Sequence, residues 1–282
     1  MIARTAVLLG ATVAVLVPLW RNPWWQRRPA RRRLLALAVV AAAASQAPPL
    51  TDAAAALAAA HMVQHLLLVT VAAPLAALAE PAPMLLGTLP PAWRRRLGRL
   101  RHRGRATISG RRGASRPGDA LGVAGRRSSP VIAAWFCHTL VLWFWHAAGP
   151  YDAAIERSGL HLLEHASFAG TALWFWQAVL SRSARRRAPA LALLATFAMA
   201  LQSVFLSALL TFARSPWYSS YRYGTGRWGL DPLADQQLAG LLMWVPAGAV
   251  HLAAGLYVLH HWLGADDPAP TRPAAPWPAA RS

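Results

Sequence analysis

Charge is scarce in this chain of 282 residues: only 14% of its positions are Asp, Glu, Lys or Arg, where a soluble domain carries roughly 25%. Lysine is absent, so all 29 basic residues are arginine, against ten acids. Cysteine is almost missing. The single Cys137 excludes an intrachain disulfide and a cysteine-based metal centre, and its place in an apolar run marks it as a small buried hydrophobe. No Cys-x-x-Cys-His is present, which rules out covalently attached haem. No nucleophile elbow, phosphate loop or dinucleotide fingerprint occurs, so the chain is not expected to be an enzyme.

What remains is apolar. Hydrophobic residues make up 56%, and a helix crossing the hydrocarbon core needs about 20 such residues in succession. Candidate spans are Ile2–Trp20, Leu34–Ala47, Ala53–Leu78, Pro130–Ala147, Leu160–Leu180, Ala188–Ala213 and Leu233–Trp262. The first could pass for a signal peptide, but it has no small-x-small cleavage site and ends in Pro18, Trp20 and a block of arginines, which favours a retained span. Several of the 14 tryptophans stand near span ends (Trp20, Trp145, Trp217, Trp262), as interfacial belts require. Pro246 is placed to kink the last span.

The net charge of +19 would suit nucleic acid on a soluble module. Here the arginines are divided by long apolar runs, so the charge reads as topology and as contact with anionic lipid at the cytoplasmic face, with no nucleic-acid partner. Residues 21–33 hold six arginines and 45–52 none; 79–129 hold twelve and 148–159 only Arg157; 181–187 hold four, and 214–232 three over a longer loop. This alternation predicts seven spans, all-α, with the N-terminus outside and the C-terminus in the cytoplasm. The membrane domain is expected over 1–265. Within it Leu85–Leu100 suits an interfacial helix anchored by Trp93, and the arginine-rich insert 101–129 lacks the periodicity of a packed element. Residues 266–282, rich in Pro and Ala, read as an unstructured tail.

Seven of the ten histidines fall within or beside a span: His61, His65, His138, His146, His161, His165 and His251. One alone would be a hydrogen-bonding residue between helices. Seven on four helices, with i,i+4 pairs in His61–His65 and His161–His165, point to a site, because such a pair sets two imidazoles on one helix face within reach of one metal ion. Gln64 and Glu164 are placed to orient those rings. Counting about 1.5 Å per residue from the outer loops gathers His146, His161, His165, Asp235 and His61 in the outer leaflet. His65, His138, Gln202 and Met243 come out nearer the midplane, and His251 near the cytoplasmic end with neither group. Imidazole, carboxylate and the thioethers of Met62, Met199 and Met243 suit copper, and also zinc or iron. Haem between axial histidines, a proton or ion path, and the inverted zinc-protease motif His161-Leu162-Leu163-Glu164-His165 are the competing readings.

Several motifs together resemble one family. His61-Met62-Val63-Gln64-His65 with Ala73-Pro74-Leu75, Leu142-Trp143 to His146, Pro150-Tyr151-Asp152, and His161 to His165 leading into Leu173-Trp174-Phe175-Trp176 are four of them. Leu210-Thr211-Phe212 ahead of Pro216-Trp217-Tyr218, and Asp235-Gln236-Gln237-Leu238-Ala239-Gly240 leading to Met243-Trp244, complete the set. In this order and spacing they look like the caa3-type cytochrome c oxidase assembly factor (CtaG) family, over about residues 50 to 262. The resemblance implies a seven-span bacterial plasma-membrane protein that assembles a haem-copper oxidase, with an oxidase subunit as partner and copper handled on the way. It carries over His61, Gln64, His65, His146, His161, His165, Asp235 and Gln236 as motif positions. Chemistry selects His61, His65, His138, His146, His161, His165, Asp235 and Met243 as the expected copper ligands. A reporter fused after Arg187 is expected to read as cytoplasmic; an external signal would overturn the topology.

Overall fold

The computed structural model describes residues 21–81, 119–223 and 225–264, with 12–14, 17 and 95 besides. All regular elements among them are helical. After a short turn at Pro23–Gln26 come α1 (Pro29–Ser45), α2 (Pro48–Ala54), α3 (Ala58–Ala79), α4 (Asp119–His146), α5 (Ala148–Glu156), α6 (Ser158–Leu180), α7 (Arg182–Arg187), α8 (Pro189–Thr211) and α9 (Pro232–Leu263). Proline opens α1, α2, α8 and α9, where its missing N–H is no loss and its fixed φ is already helical.

By length and composition α3, α8 and α9 can each cross a membrane. Two bent pairs, α1 with α2 at 47° and the part of α4 from Pro130 with α5 at 74°, raise the number to five if each is one span. At 23 residues α6 is long enough too, but His161, Glu164, His165 and Gln177 make it less apolar. The expected first span lies almost wholly outside the described residues, as do the interfacial helix Leu85–Leu100 (Arg95 apart) and the tail. Residues 119–129 of the expected unstructured insert belong to α4.

The expected span Ala53–Leu78 does not run unbroken. Ala53 and Ala54 belong to α2, and the extended backbone of Leu57 (φ −134, ψ 126) separates that helix from α3. Inside α3, residues Leu67–Ala72 form a π-helical turn, and Pro74 accounts for it. Proline has no N–H to give and crowds the carbonyl four residues back, so the chain widens by one residue before reaching it. Ala73 N–H then bonds Leu68 O, and the carbonyl of Val69, which a π bond would pair with residue 74, instead accepts from Trp176 Nε1 at 2.8 Å. A side chain of α6 thus repairs the break. Such turns often lie beside functional residues, and this one follows His65 directly.

The helices pack on a hydrophobic core that leaves one small cavity among the described residues. It is lined from α3, α4, α6, α8 and α9, with α1 packed on the outside of α3. The bundle is inside-out for water: Phe136, Leu140 and Phe144 on α4, Leu194, Phe197 and Phe205 on α8, and Val245 and Leu252 on α9 all face outward. Contiguous apolar surface of this kind suits lipid. Two expectations fail locally. Trp145 is no belt residue but is buried, donating from Nε1 to Ser167 Oγ at 2.8 Å, and Cys137 is only half-buried.

The tightest helix contact joins α8 to α9. A Cβ on Gly240 would collide with Thr211 Oγ1 and lie 2.9 Å from both Ser207 O and Thr211 N, two backbone atoms that cannot turn aside. Gly240→Ala is therefore expected to destabilise the bundle by about 1–3 kcal/mol. Gly248→Ala and Gly255→Ala, whose Cβ atoms meet nothing within 4 Å, should leave the detergent melting temperature unchanged or slightly raised. Equal melting of all three variants would contradict the close packing.

Candidate metal centre

The i,i+4 spacing works as the sequence suggests. On α3 the rings of His61 and His65 stand 4.3 Å apart between centroids, and on α6 those of His161 and His165 stand 4.2 Å apart. The two helices face each other, so His65 and His165 approach to 5.0 Å and His61 and His165 to 5.8 Å. Glu164 is the centrepiece. Its Oε1 lies 3.5 Å from His61 Nε2 and 3.6 Å from His65 Nε2, just beyond hydrogen-bonding reach, in surroundings where all three side chains are almost wholly buried. One ligand atom from each of His61, His65, Glu164 and His165 falls within 4.8 Å of the others.

These groups are inaccessible to water and mostly unpaired. Both nitrogens of His61 and His65, both oxygens of Glu164, and Nε2 of His146 and His165 have no hydrogen-bond partner. A buried polar group left alone costs about 1–3 kcal/mol, and a carboxylate more, so eight such atoms in one place demand a common partner. Of the neighbours that are paired, one leaves the right atom free. His146 Nδ1 lies 2.8 Å from Leu142 O, and a carbonyl can only accept, so the proton is on Nδ1 and Nε2 keeps its lone pair. His165 Nδ1 accepts from Gln46 Nε2 at 2.9 Å, which puts the neutral ring's proton on Nε2; that atom becomes a ligand only when the Gln46 amide turns its oxygen to an Nδ1–H. Imidazoles anchored through one nitrogen and open at the other are the usual arrangement around a metal ion.

A family model described as cytochrome c oxidase caa3 assembly factor (Caa3_CtaG) matches residues 13–265. The chain belongs to that family. No curated protein and no solved structure matches it.

In this assembly factor the cluster has a lid of aromatic rings. Tyr151 on α5 lies 5.3 Å from the His61 ring and stacks on Tyr218 at 3.7 Å. Tyr218 Oη donates to His146 O, and Tyr221 Oη to Ala54 O. The loop carrying both tyrosines is pinned to α5, since Asp152 accepts from the backbone N–H groups of Ser219 and Ser220 and from Ser219 Oγ. His161, half-buried, stands 5.4 Å from His61 at the margin of the group.

Other expected site residues lie elsewhere. Asp235 does not join the cluster. Its carboxylate accepts from Ala58 N at 2.6 Å and Ala59 N at 3.1 Å, capping α3 from another helix, because the break at Leu57 leaves those N–H groups free. Gln64 donates to Ser45 O and not to a ring, and Gln236 Oε1 accepts from Trp217 N. Gln202 is engaged by Trp143 Nε1. His138 and Met243 line the cavity below the cluster. So does His251, which counting along the last span had left apart; rise per residue ignores how helices of 32 and 22 residues lie against each other. Sequence reasoning placed Glu164, the fourth position of its His-x-x-Glu-His run, as a residue that orients the rings and missed it as a member of the group, and Gln46 gave no signal at all.

If Asp235 is a cap, Asp235→Ala should lower detergent stability by about 1–2 kcal/mol. Asp235→Asn, which keeps one acceptor oxygen, should lose less. Unaltered melting of Asp235→Ala would refute the assignment.

Proposed function

We propose that this assembly factor is a seven-span plasma-membrane protein, N-terminus outside, that binds copper through His61, His65, Glu164 and His165 and delivers it to a haem-copper oxidase subunit. The observation that carries the reading is the convergence of unpaired, buried nitrogen and oxygen atoms. A copper ion with imidazole and carboxylate ligands fits that donor set, and membership of an oxidase assembly family makes copper the relevant metal. Copper here is cargo, held and then released, and the protein acts without catalysis. His146, in ring contact with His65, and His161, in ring contact with His61 and His165, supply the alternative donors that exchange needs. The alternation of arginine-rich and arginine-poor loops sets the cluster toward the outer leaflet, which supports loading from outside.

Protein purified in detergent from copper-replete cells should carry near-stoichiometric copper. The His61→Ala/His65→Ala double variant should lose it and lower the yield of active oxidase in the same cells. Glu164→Gln, of the same shape but uncharged, should weaken binding at least about tenfold. Metal-free wild-type protein from copper-replete cells would refute copper handling and leave a scaffold that guides oxidase subunits. A Soret band in place of copper would transfer the site to haem.

A further inference from the structure

Beneath the His/Glu cluster lies the small cavity of about 40 Å³ between the helices, and its donors differ in kind. Three methionines reach it: Met62 from α3, Met199 from α8 and Met243 from α9. All three are at most 4% exposed, so they are far from any solvent that would favour a sulfur for other reasons. A methionine in an apolar helix is ordinarily packing. Three that meet at one cavity from three different helices, together with imidazoles, form a donor set.

The imidazoles there are prepared in the same sense as His146. His251 Nδ1 lies 2.7 Å from Ala247 O, which can only accept, so the proton is on Nδ1 and Nε2 is a free lone pair. His138 Nδ1 meets Thr171 Oγ1 at 2.9 Å. That hydroxyl has already given its proton to Ser167 O at 2.7 Å, so it too accepts from the ring and leaves His138 Nε2 free. Met199 Sδ lies 3.7 Å from Thr139 Oγ1, on the residue next to His138, which fixes the sulfur at the same level of the bundle. No carboxylate lines this space. Thioether and neutral imidazole without a compensating anion suit a soft, singly charged ion and disfavour a divalent one, whose burial would leave more charge unbalanced.

We propose that this cavity is a second metal site, selective for cuprous copper, and that His65 passes the ion into it. His65 belongs to both groups: it borders Glu164 in the upper cluster and lines the cavity below. Its passing role rests on the upper cluster being the copper-loading site; the lower site itself does not. The transfer is ligand exchange of Cu(I), in which donor bonds to His61, Glu164 and His165 are replaced by donor bonds to methionine sulfur and to His138 and His251, with no change of oxidation state.

The test uses the full-length protein in detergent, titrated anaerobically with Cu(I) and examined by copper X-ray absorption. Wild type should bind two equivalents with sulfur among the scatterers. Met62→Leu/Met199→Leu/Met243→Leu, close to isosteric, should bind one and lose the sulfur signal. Glu164→Gln/His165→Ala should bind one and keep it. One equivalent in wild type with only nitrogen and oxygen scatterers, two without sulfur, or a triple variant indistinguishable from wild type would each overturn the lower site while leaving the upper one standing. Sulfur-ligated copper that persists when the upper cluster is removed, with one equivalent in both, would uphold the lower site against the upper. Absence of copper throughout would overturn both. Should the triple variant fail to fold, the wild-type stoichiometry and scatterers alone decide.

Discussion

A carboxylate with neither oxygen hydrogen-bonded, fully enclosed by protein, is hard to keep in a helical bundle that faces lipid. Glu164 is in that position, and its setting allows few solutions. A proton shared with His61 would pair one oxygen and one nitrogen and leave His65, His146 and His165 with unsatisfied atoms. A cation among the four ligands meets the charge and gives the open nitrogens of His61 and His65 a partner for their lone pairs at once. Desolvation of charged groups is repaid only when opposite charge and directed bonds are both present, and a metal ion supplies the two together.

The rest of the structure can be understood as holding that group in place. α3 must start where His61 and His65 both point at α6, and its start is fixed from a distance by Asp235 on α9. Past His65 the helix widens into a π turn, so the face presented by Val69 and Thr70 differs from the one a continuous α-helix would give. Trp176 seals that turn from α6, the helix that also carries Glu164 and His165. At the other end of α3, Glu80 takes a left-handed conformation (φ 48, ψ 59), unusual without glycine, and its carboxylate is clamped by Arg31 Nη2 at 2.7 Å and Arg182 N at 3.0 Å. Both ends of the helix carrying His61 and His65 are therefore held by carboxylates that do not touch the His/Glu cluster.

How much of this the sequence reveals depends on whether the signal is local. The i,i+4 histidine pairs are local, and both emerge on facing helix surfaces as their spacing requires. Helix positions are legible for the same reason, since apolar runs bounded by arginine leave little freedom. Asp235 shows the opposite case. Its acidity in a span marks it as functional, but its partner N–H groups exist only because the chain breaks at Leu57, 178 positions away in a segment that looks uniformly alanine-rich. Gln46 is equally silent, a polar residue at a span end that becomes a contact of His165 only once α1 packs against α3. Trp145 resembles a belt residue until Ser167, two residues beyond His165 on α6, is found waiting for its N–H.

The ordering of donors along the bundle bears on what an assembly factor has to do. A resident metal centre gains from rigid, complete ligation, whereas a carrier must release what it binds, and surplus donors at graded softness lower the barrier to release. Here the anionic ligand and the half-buried His161 lie on the side of the tyrosine lid, while the thioethers lie deeper, beyond His65. A divalent ion is held best at the carboxylate, and a cuprous ion is held nearly as well at sulfur. On the copper reading proposed above, the position of the ion along that gradient would follow its oxidation state, so that the same helices could retain one form near the lid and admit the other to the interior.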